Sequence, residues 1–236
     1  ESLDLTEEAA PSSLYESLIE ILKAMDNDSL AYIYANEAIV KSKSSEKIEN
    51  IHSELFRKKG EKDEVYVSYL DSLKKLAKEK RLEDLKYELV EIPNIDGVIK
   101  SIDGKILNIR DLSGKITVIS FWATWCGPCQ SFLPAFNYLQ NAYSDDKNIE
   151  FIALDVWEKE DDDEETLEEF LNEYESEMPV YMDEYNIIPK QAGVTGLPVT
   201  IFIDENREIR FFREGFSGDN IYIQDAKDMI DFLKKK

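Results

Sequence analysis

The sequence predicts an all-α domain followed by an α/β domain whose central mixed sheet is flanked by helices. Residues 12–89 contain no proline and a single glycine, and their apolar residues recur at helical spacing. Beyond residues 90–94, continuous and period-two apolar runs replace that spacing and alternate with helical segments, which is typical of βαβ units. We therefore expect a helical domain over residues 1–90 and an α/β domain over residues 91–236.

Breaks near residues 26–28, 43–45 and 60–63 divide the helical domain into antiparallel helices with short connections. The segments that begin at Asp28 and Asp63 resemble each other at roughly the tetratricopeptide period of 34 residues. A tetratricopeptide-like arrangement and a plain helical bundle both fit this pattern. His52 is expected on the surface, because a lone histidine lacks the partners that catalysis or metal binding requires.

In the α/β domain, residues 103–104 (Asp-Gly) predict a hairpin turn, and residues 116–121 predict a buried strand. A helix over 126–143, with Pro134 as a kink, and a strand over 150–156 complete a βαβ unit. Leu167, Phe170, Leu171 and Tyr174 indicate an amphipathic helix. A hairpin over 199–213 and a helix over 223–233 close the domain, so the order after residue 115 is βαβαββα.

Charge limits the class of partner. The 236 residues carry 50 acidic and 28 basic side chains, a net charge of -22. A field of that sign repels phosphate backbones, so we expect no nucleic-acid partner. The acidic run 158–165 is interpreted as the solvated entry to a helix, where negative charge is favourable. A calcium site is the alternative, but the run lacks the spacing and the glycine of an EF-hand loop.

No stretch approaches the roughly 18 to 20 consecutive apolar residues that a membrane-spanning helix needs. We therefore expect a globular chain. Because the sequence begins with Glu1 rather than Met, we also expect that an N-terminal segment was removed.

The two cysteines, Cys126 and Cys129, are separated by two residues at the start of a predicted helix. The helix N-terminus stabilises a thiolate, which predicts Cys126 as the nucleophile and Cys129 as the sulfur that resolves a mixed disulfide. Gly127 and Pro128 keep the turn tight. Half of a zinc site would lack further ligands, and a structural disulfide this short would restrict the unfolded chain little.

Four motifs carry a family resemblance: residues 103–105 (DGK), 111–115 (DLSGK), 121–129 (FWATWCGPC) and 193–200 (GVTGLPVT). Residues 91–236 resemble the TlpA/ResA branch of thioredoxin-like proteins, a family of mostly exported, often membrane-tethered thiol-disulfide oxidoreductases. The resemblance implies a thioredoxin-like fold and a redox-active Cys126–Cys129 disulfide, with no metal and no other cofactor. It does not extend to the helical domain.

The resemblance also implies a substrate groove beside the dithiol. Pro198 corresponds to the cis-proline that faces the two cysteines, and the backbone beside it pairs with an extended substrate segment. Thr195 and Leu197 would shape this groove, together with Gly127 and Pro128 of the motif. Trp125 would form its apolar lip, whereas Trp122 and Trp157 are expected to be packing residues. The alternative is that Pro198 merely begins an edge strand.

Two acidic positions of related proteins are replaced in this sequence. The buried aspartate of thioredoxin corresponds to Ser120, and the glutamate that many relatives carry after the second cysteine corresponds to Phe132. A nearby carboxylate can accept the proton of the resolving cysteine. Without one, we expect Cys129 to stay protonated well above neutral pH.

These observations favour a reductase of disulfides in extracytoplasmic proteins of the periplasm or cell envelope. Its substrates would be protein thiols and disulfides, its electrons would come from an upstream thiol donor, and a membrane tether would lie outside this chain. A thiol oxidase or isomerase is an alternative, because the motif does not fix redox poise. A second alternative is a partner-binding module whose helices direct the redox domain to one client. A peroxidase of the peroxiredoxin group would need a Pro-x-x-x-Thr/Ser-x-x-Cys setting, which the residues before Cys126 do not supply.

Overall fold

The computed structural model describes residues 11–60, 62–158, 167 and 180–235. The chain forms two compact units, Glu1–Asp84 and Leu85–Lys236. The domain boundary that we expect between residues 90 and 91 lies six residues after the division between these two units. The expected boundary stays a prediction. Within the described ranges, no helix has both the length and the apolar character needed to cross a membrane.

The described part of the first unit consists of helices joined by short turns. They are α1 (Ser12–Ala24), α2 (Asp28–Val40), α3 (Glu46–Lys58) and α4 (Asp63–Asp84). The side chain of Asn27 caps α2, and that of Ser45 caps α3, because each accepts a backbone N–H from the first helical turn. The helix starts at residues 12 and 46 are about one tetratricopeptide period apart. The repeat-like arrangement itself stays a prediction.

The expectation that His52 lies on the surface is wrong, because its side chain is fully buried. Its Nε2 atom lies 3.1 Å from Oδ1 of Asn36, and its Nδ1 atom lies 3.3 Å from the hydroxyl of Tyr66. The ring also stacks on Tyr32, with centroids 4.8 Å apart. Burial, together with the nearby positive charge of Lys59, lowers the pKa of His52 to about 4. Its partners come from α2 and α4, which the local sequence of α3 does not reveal.

The second unit is built on one mixed sheet. Its strands are β1 (Val98–Ser101), β2 (Ile106–Asn108), β3 (Ile116–Trp122), β4 (Ile149–Asp155), β5 (Val180–Met182), β6 (Val199–Ile203) and β7 (Ile209–Glu214). The spatial order is β2-β1-β5-β4-β3-β6-β7. The central strand β3 pairs in parallel with β4 and antiparallel with β6. Every residue of β3 is buried, as its continuous apolar run predicted.

Helices cover the sheet. They are α5 (Gly127–Ala142), α6 (Ile187–Ala192) and α7 (Asp219–Leu233), with 3-10 turns at Leu85–Tyr87 and Ile109–Leu112. Ile188 and Ala192 of α6 join the apolar cluster that contains Phe121 and Ile119 of β3. Pairs of aromatic rings connect α5 to its surroundings, including Phe136 with Phe151 of β4. This confirms the predicted α/β thioredoxin-like architecture.

Among the described strands and α-helices, β5 and α6 were not predicted, because they are three and six residues long, too short to show a period. The predicted helix around residues 167–174 lies outside the described residues except for Leu167, which is helical and buried. Most of the acidic run 158–165 also lies outside them. The other predicted strands, the 103–104 turn and the closing helix are present with small shifts at their ends.

Candidate active site

Cys126 and Cys129 lie where β3 runs into α5. Cys126 is the N-cap residue of α5, and its Sγ atom accepts the backbone N–H of Cys129 over 3.3 Å. Pro128 occupies the first helical turn, where the N–H that proline lacks would have no helical partner. The two sulfur atoms form a disulfide. Cys126 is 5% exposed and Cys129 is fully buried, so both cysteines are buried and Cys126 is the less buried of the two.

The loop before β6 lies at the edge of the sheet where β3 ends and the cysteine motif begins. The Leu197–Pro198 peptide bond is cis, the isomer that the resemblance implied. Val199, the next residue, pairs with Phe121 near the end of β3, so the loop before β6 and the loop after β3 begin at the same edge of the sheet. Thr195 is exposed, Leu197 is half-buried and Pro198 is buried.

A third loop, which follows β4, is hydrogen-bonded to the segment that precedes Cys126. The backbone N–H of Val156 donates to the carbonyl oxygen of Trp122 over 3.0 Å. The indole Nε1 of Trp125 donates to the carbonyl oxygen of Trp157 over 2.9 Å. Trp125 nevertheless keeps 45% of its surface exposed.

Glu158 makes the most direct of these contacts. Its Oε1 atom accepts the backbone N–H of Thr124 over 2.6 Å, and its Oε2 atom accepts the Thr124 hydroxyl over 2.7 Å. The carbonyl oxygen of Thr124 in turn accepts Nε2 of Gln130, in the first turns of α5, over 3.1 Å. Hydrogen bonds to Glu158 and to Gln130 therefore hold Thr124, which lies two residues before Cys126.

Sequence reasoning missed this arrangement. It placed Glu158 in a solvated acidic run and treated Trp157 as a packing residue. The strand order could have indicated the position of Glu158. The strands β4 and β3 are parallel neighbours, and the carboxyl ends of parallel strands meet at one edge of a sheet. Residues just after β4 are therefore placed beside the cysteine motif.

The positions that carry carboxylates in related proteins hold neutral groups. The buried Ser120 hydroxyl lies 3.4 Å from the hydroxyl of Thr200, which lies 3.3 Å from that of Tyr222. Burial raises the pKa of Tyr222, so this hydroxyl stays neutral. Phe132 is fully buried and packs edge-on against the Tyr222 ring with centroids 4.9 Å apart. In the part of the chain that is described, no group of three or more His, Cys, Asp or Glu side chains is placed to hold a metal ion.

Comparison with known proteins agrees with this fold. Residues 90–212, just over half of the chain, match the AhpC/TSA family, and the chain belongs to that family. A thiol-disulfide oxidoreductase ResA from Bacillus thuringiensis is 34% identical over 119 residues, which cover 50% of this chain and 65% of that protein. The corresponding protein of Oceanobacillus iheyensis is 30% identical over 120 residues, covering 50% of this chain and 59% of that protein. The chain thus matches less than two thirds of the length of these relatives.

Solved structures share the fold. One described as a thiol:disulfide interchange protein from Chlorobium tepidum has a TM-score of 0.52 at 24% identity, over 61% of this chain and 96% of that one. Another, described as a thiol-disulfide oxidoreductase from Bacteroides vulgatus, has a TM-score of 0.51 at 26% identity, over 62% of this chain and 98% of that one. The relatives and these folds confirm the thioredoxin-like resemblance inferred from the motifs.

Proposed function

We propose that this chain is a thiol-disulfide oxidoreductase that reduces disulfides of extracytoplasmic client proteins through Cys126 and Cys129. The observation that carries the proposal is the asymmetry of the pair at the start of α5. Cys126 keeps 5% of its surface exposed and is hydrogen-bonded to the helix N-terminus, whereas Cys129 is fully buried one turn further in. That is the arrangement required of a nucleophile and a resolving thiol.

In the proposed reaction, the Cys126 thiolate attacks one sulfur of a client disulfide. The client S–S bond breaks, and the other client sulfur leaves as a thiolate that takes up a proton. Cys129 then loses its proton and attacks Cys126, so that the mixed disulfide breaks and the second client thiol is released. The client gains two electrons, and the Cys126–Cys129 disulfide that remains is reduced again by an upstream thiol donor.

We assign substrate binding to the surface around Cys126. The backbone at Thr195 and Leu197, beside the cis bond of Pro198, would pair with an extended client segment. Trp125, with 45% of its surface exposed, would contact apolar client side chains, while Gly127 and Pro128 leave the approach to the sulfur open. No other cofactor is needed, because the disulfide itself carries the electrons.

The direction of transfer depends on the reduction potential, which is the first quantity to measure. Equilibration in defined thiol buffers, followed by tryptophan fluorescence, should give a value near that of thioredoxin, about -270 mV. A value above about -180 mV would instead assign the chain to thiol oxidation or isomerisation.

A separate experiment tests which cysteine is the nucleophile and which is the resolving thiol. Cys129→Ser should accumulate a mixed disulfide with a model client such as insulin, because the resolving thiol is gone. The matched variant Cys126→Ser should accumulate none, because its remaining thiol is buried. Trapping by Cys126→Ser alone would reverse the assigned roles.

We assign the protein to the periplasm or cell envelope, held there by a membrane tether outside this chain. The family resemblance supports this placement, and so does the presence of cysteines at the redox pair alone. Access of a membrane-impermeant thiol reagent to the reduced pair in intact cells tests it. Labelling only after cell lysis would place the protein in the cytosol.

A second role is proposed for the helices α1 to α4, namely binding a partner that directs the redox unit to one client. Their tetratricopeptide-like spacing supports this role, because such repeats form binding surfaces. A chain that begins at Leu85 should still reduce small test disulfides and should lose activity only on its native client. Equal activity of the full chain and the shortened chain on that client would contradict this role of the helices.

A further inference from the structure

The loop after β4 is hydrogen-bonded to the segment that leads into the cysteine motif. Three consecutive residues, 156 to 158, each provide a hydrogen bond to the segment 122–125. Two of these bonds involve backbone atoms on the 156–158 side. The third uses a carboxylate whose two oxygens both accept hydrogen bonds from one residue, Thr124.

The backbone of this loop is held in a conformation that most side chains avoid. Trp157 has φ of 59°, and Asn186, whose side chain accepts the Trp157 N–H over 2.9 Å, has φ of 51°. The left-handed region is costly for a bulky residue such as tryptophan and is retained where surrounding contacts enforce it. Here the enforced conformation directs the Trp157 carbonyl to Trp125 and the Glu158 carboxylate to Thr124.

Hydrogen bonds to an ionised carboxylate are shorter and stronger than neutral ones. The distances of 2.6 and 2.7 Å from Glu158 to Thr124 fit that class. The side chain of Gln130, in the first turns of α5, also donates to the Thr124 carbonyl oxygen. The position of Thr124 therefore fixes where the chain enters α5, and with it the position of the Cys126 sulfur relative to the helix N-terminus.

Resting on the proposed function, we propose that Glu158 is a positioning residue that holds the Cys126 sulfur at the N-terminus of α5 through Thr124. It thereby keeps the reduced Cys126 in its reactive thiolate form. The hydrogen bonds of Glu158 go to Thr124, so it acts on the sulfur through the loop. The carboxylate is also a nearby negative charge, which by itself would disfavour the thiolate. The two effects have opposite signs, and an experiment can separate them.

The test measures the pKa of Cys126 from the pH dependence of its alkylation by iodoacetamide. The background is Cys129→Ser in the full chain, which leaves Cys126 as the only thiol. Glu158→Ala should raise the pKa by about one unit and slow alkylation at neutral pH about tenfold, because the sulfur is no longer held against the helix N-terminus. Thr124→Val, which loses the hydroxyl donor but leaves the charge, should shift the pKa in the same direction by a smaller amount.

Glu158→Gln is the conservative variant, and it should fall between wild type and Glu158→Ala because one of its oxygens can still accept a hydrogen bond. Glu150→Gln removes the same charge at the opposite end of β4, where Glu150 pairs with Lys115, and should leave the Cys126 pKa unchanged. A lowered pKa in both Glu158 variants, with no effect of Thr124→Val, would show a charge effect alone and overturn the proposal. An unchanged pKa in all three variants would overturn it as well.

The measurement needs neither a client nor an electron donor. A wild-type chain that alkylates as expected but fails to reduce disulfides would contradict the proposed function and leave the positioning role intact. Thermal melting of each variant confirms that it is folded. Because Thr124→Val removes a single half-buried hydroxyl and keeps the size of the side chain, it keeps the test valid even where Glu158→Ala unfolds.

Discussion

The Sγ atom of Cys126 accepts the backbone N–H of Cys129 over 3.3 Å, so the Cys126 sulfur lies at the positive end of α5, and Cys129 is the more deeply buried of the two. The two thiols of the reduced protein therefore have different surroundings. Cys126 has helix N–H groups to stabilise a thiolate. Cys129 is fully buried, and positions 120 and 132 hold a serine and a phenylalanine, neither of which supplies a carboxylate.

We expect this difference to separate the two ionisations. Cys126 should ionise below the ordinary cysteine value of about 8.5, and Cys129 should stay protonated well above neutral pH. NMR titration of the reduced protein with labelled cysteine β-carbons measures both. Ionisation of Cys129 near neutrality would contradict the prediction.

Ser120→Asp should accelerate the resolving step. A carboxylate at this buried position, where thioredoxin carries its aspartate, could accept the Cys129 proton and should raise the rate of release from a mixed disulfide at least about tenfold. Ser120→Asn, similar in size and neutral, is the control. Both variants should be less stable than wild type, because the site is fully buried. Equal release rates for Asp and Asn, measured in single-turnover experiments, would rule out proton acceptance there.

Phe132→Ala should destabilise the redox unit by about 3–5 kcal/mol, because it removes a fully buried ring that contacts Phe136 and Tyr222. Urea unfolding followed by tryptophan fluorescence isolates this unit, since all three tryptophans (Trp122, Trp125 and Trp157) lie in it. Phe132→Leu should cost less, because it leaves a smaller cavity. A loss below about 1 kcal/mol for the alanine variant would show that the core closes around the gap.

Acid should weaken the helical unit through His52. Its folded pKa of about 4 lies below the unfolded value of 6.5, so the unfolded state binds more protons. The stabilisation is complete above pH 6.5 and is lost as pH falls towards 4, and by pH 5 the loss is about 2 kcal/mol.

NMR can follow the ring directly, because His52 is the single histidine of the chain. Melting of the helical signal in circular dichroism at pH 7.5 and pH 5 gives the change in stability. His52→Gln should show a smaller difference between the two pH values. A histidine that titrates near 6.5 in the folded protein would contradict both the low pKa and the linked loss of stability.

Local pattern was sufficient to predict the elements that are long or carry a strong motif. The breaks between α1, α2, α3 and α4, the buried run of β3 and the helix that follows Cys126 all depend on neighbours in sequence. The resemblance of residues 193–200 to a known motif added the cis bond at Pro198. Short elements were missed, because three residues of β5 or six of α6 are too few to show a period.

The sequence by itself determined the chemistry: a cysteine pair at a helix start, with Ser120 and Phe132 where relatives carry acids. Only the tertiary structure decided which groups surround that pair. Glu158 meets Thr124 because β4 and β3 end at one edge of the sheet, and His52 is buried because Asn36 and Tyr66 reach it from other helices. Such contacts join residues far apart in sequence, and pairing of strands and packing of helices, rather than local propensity, bring them within hydrogen-bonding distance.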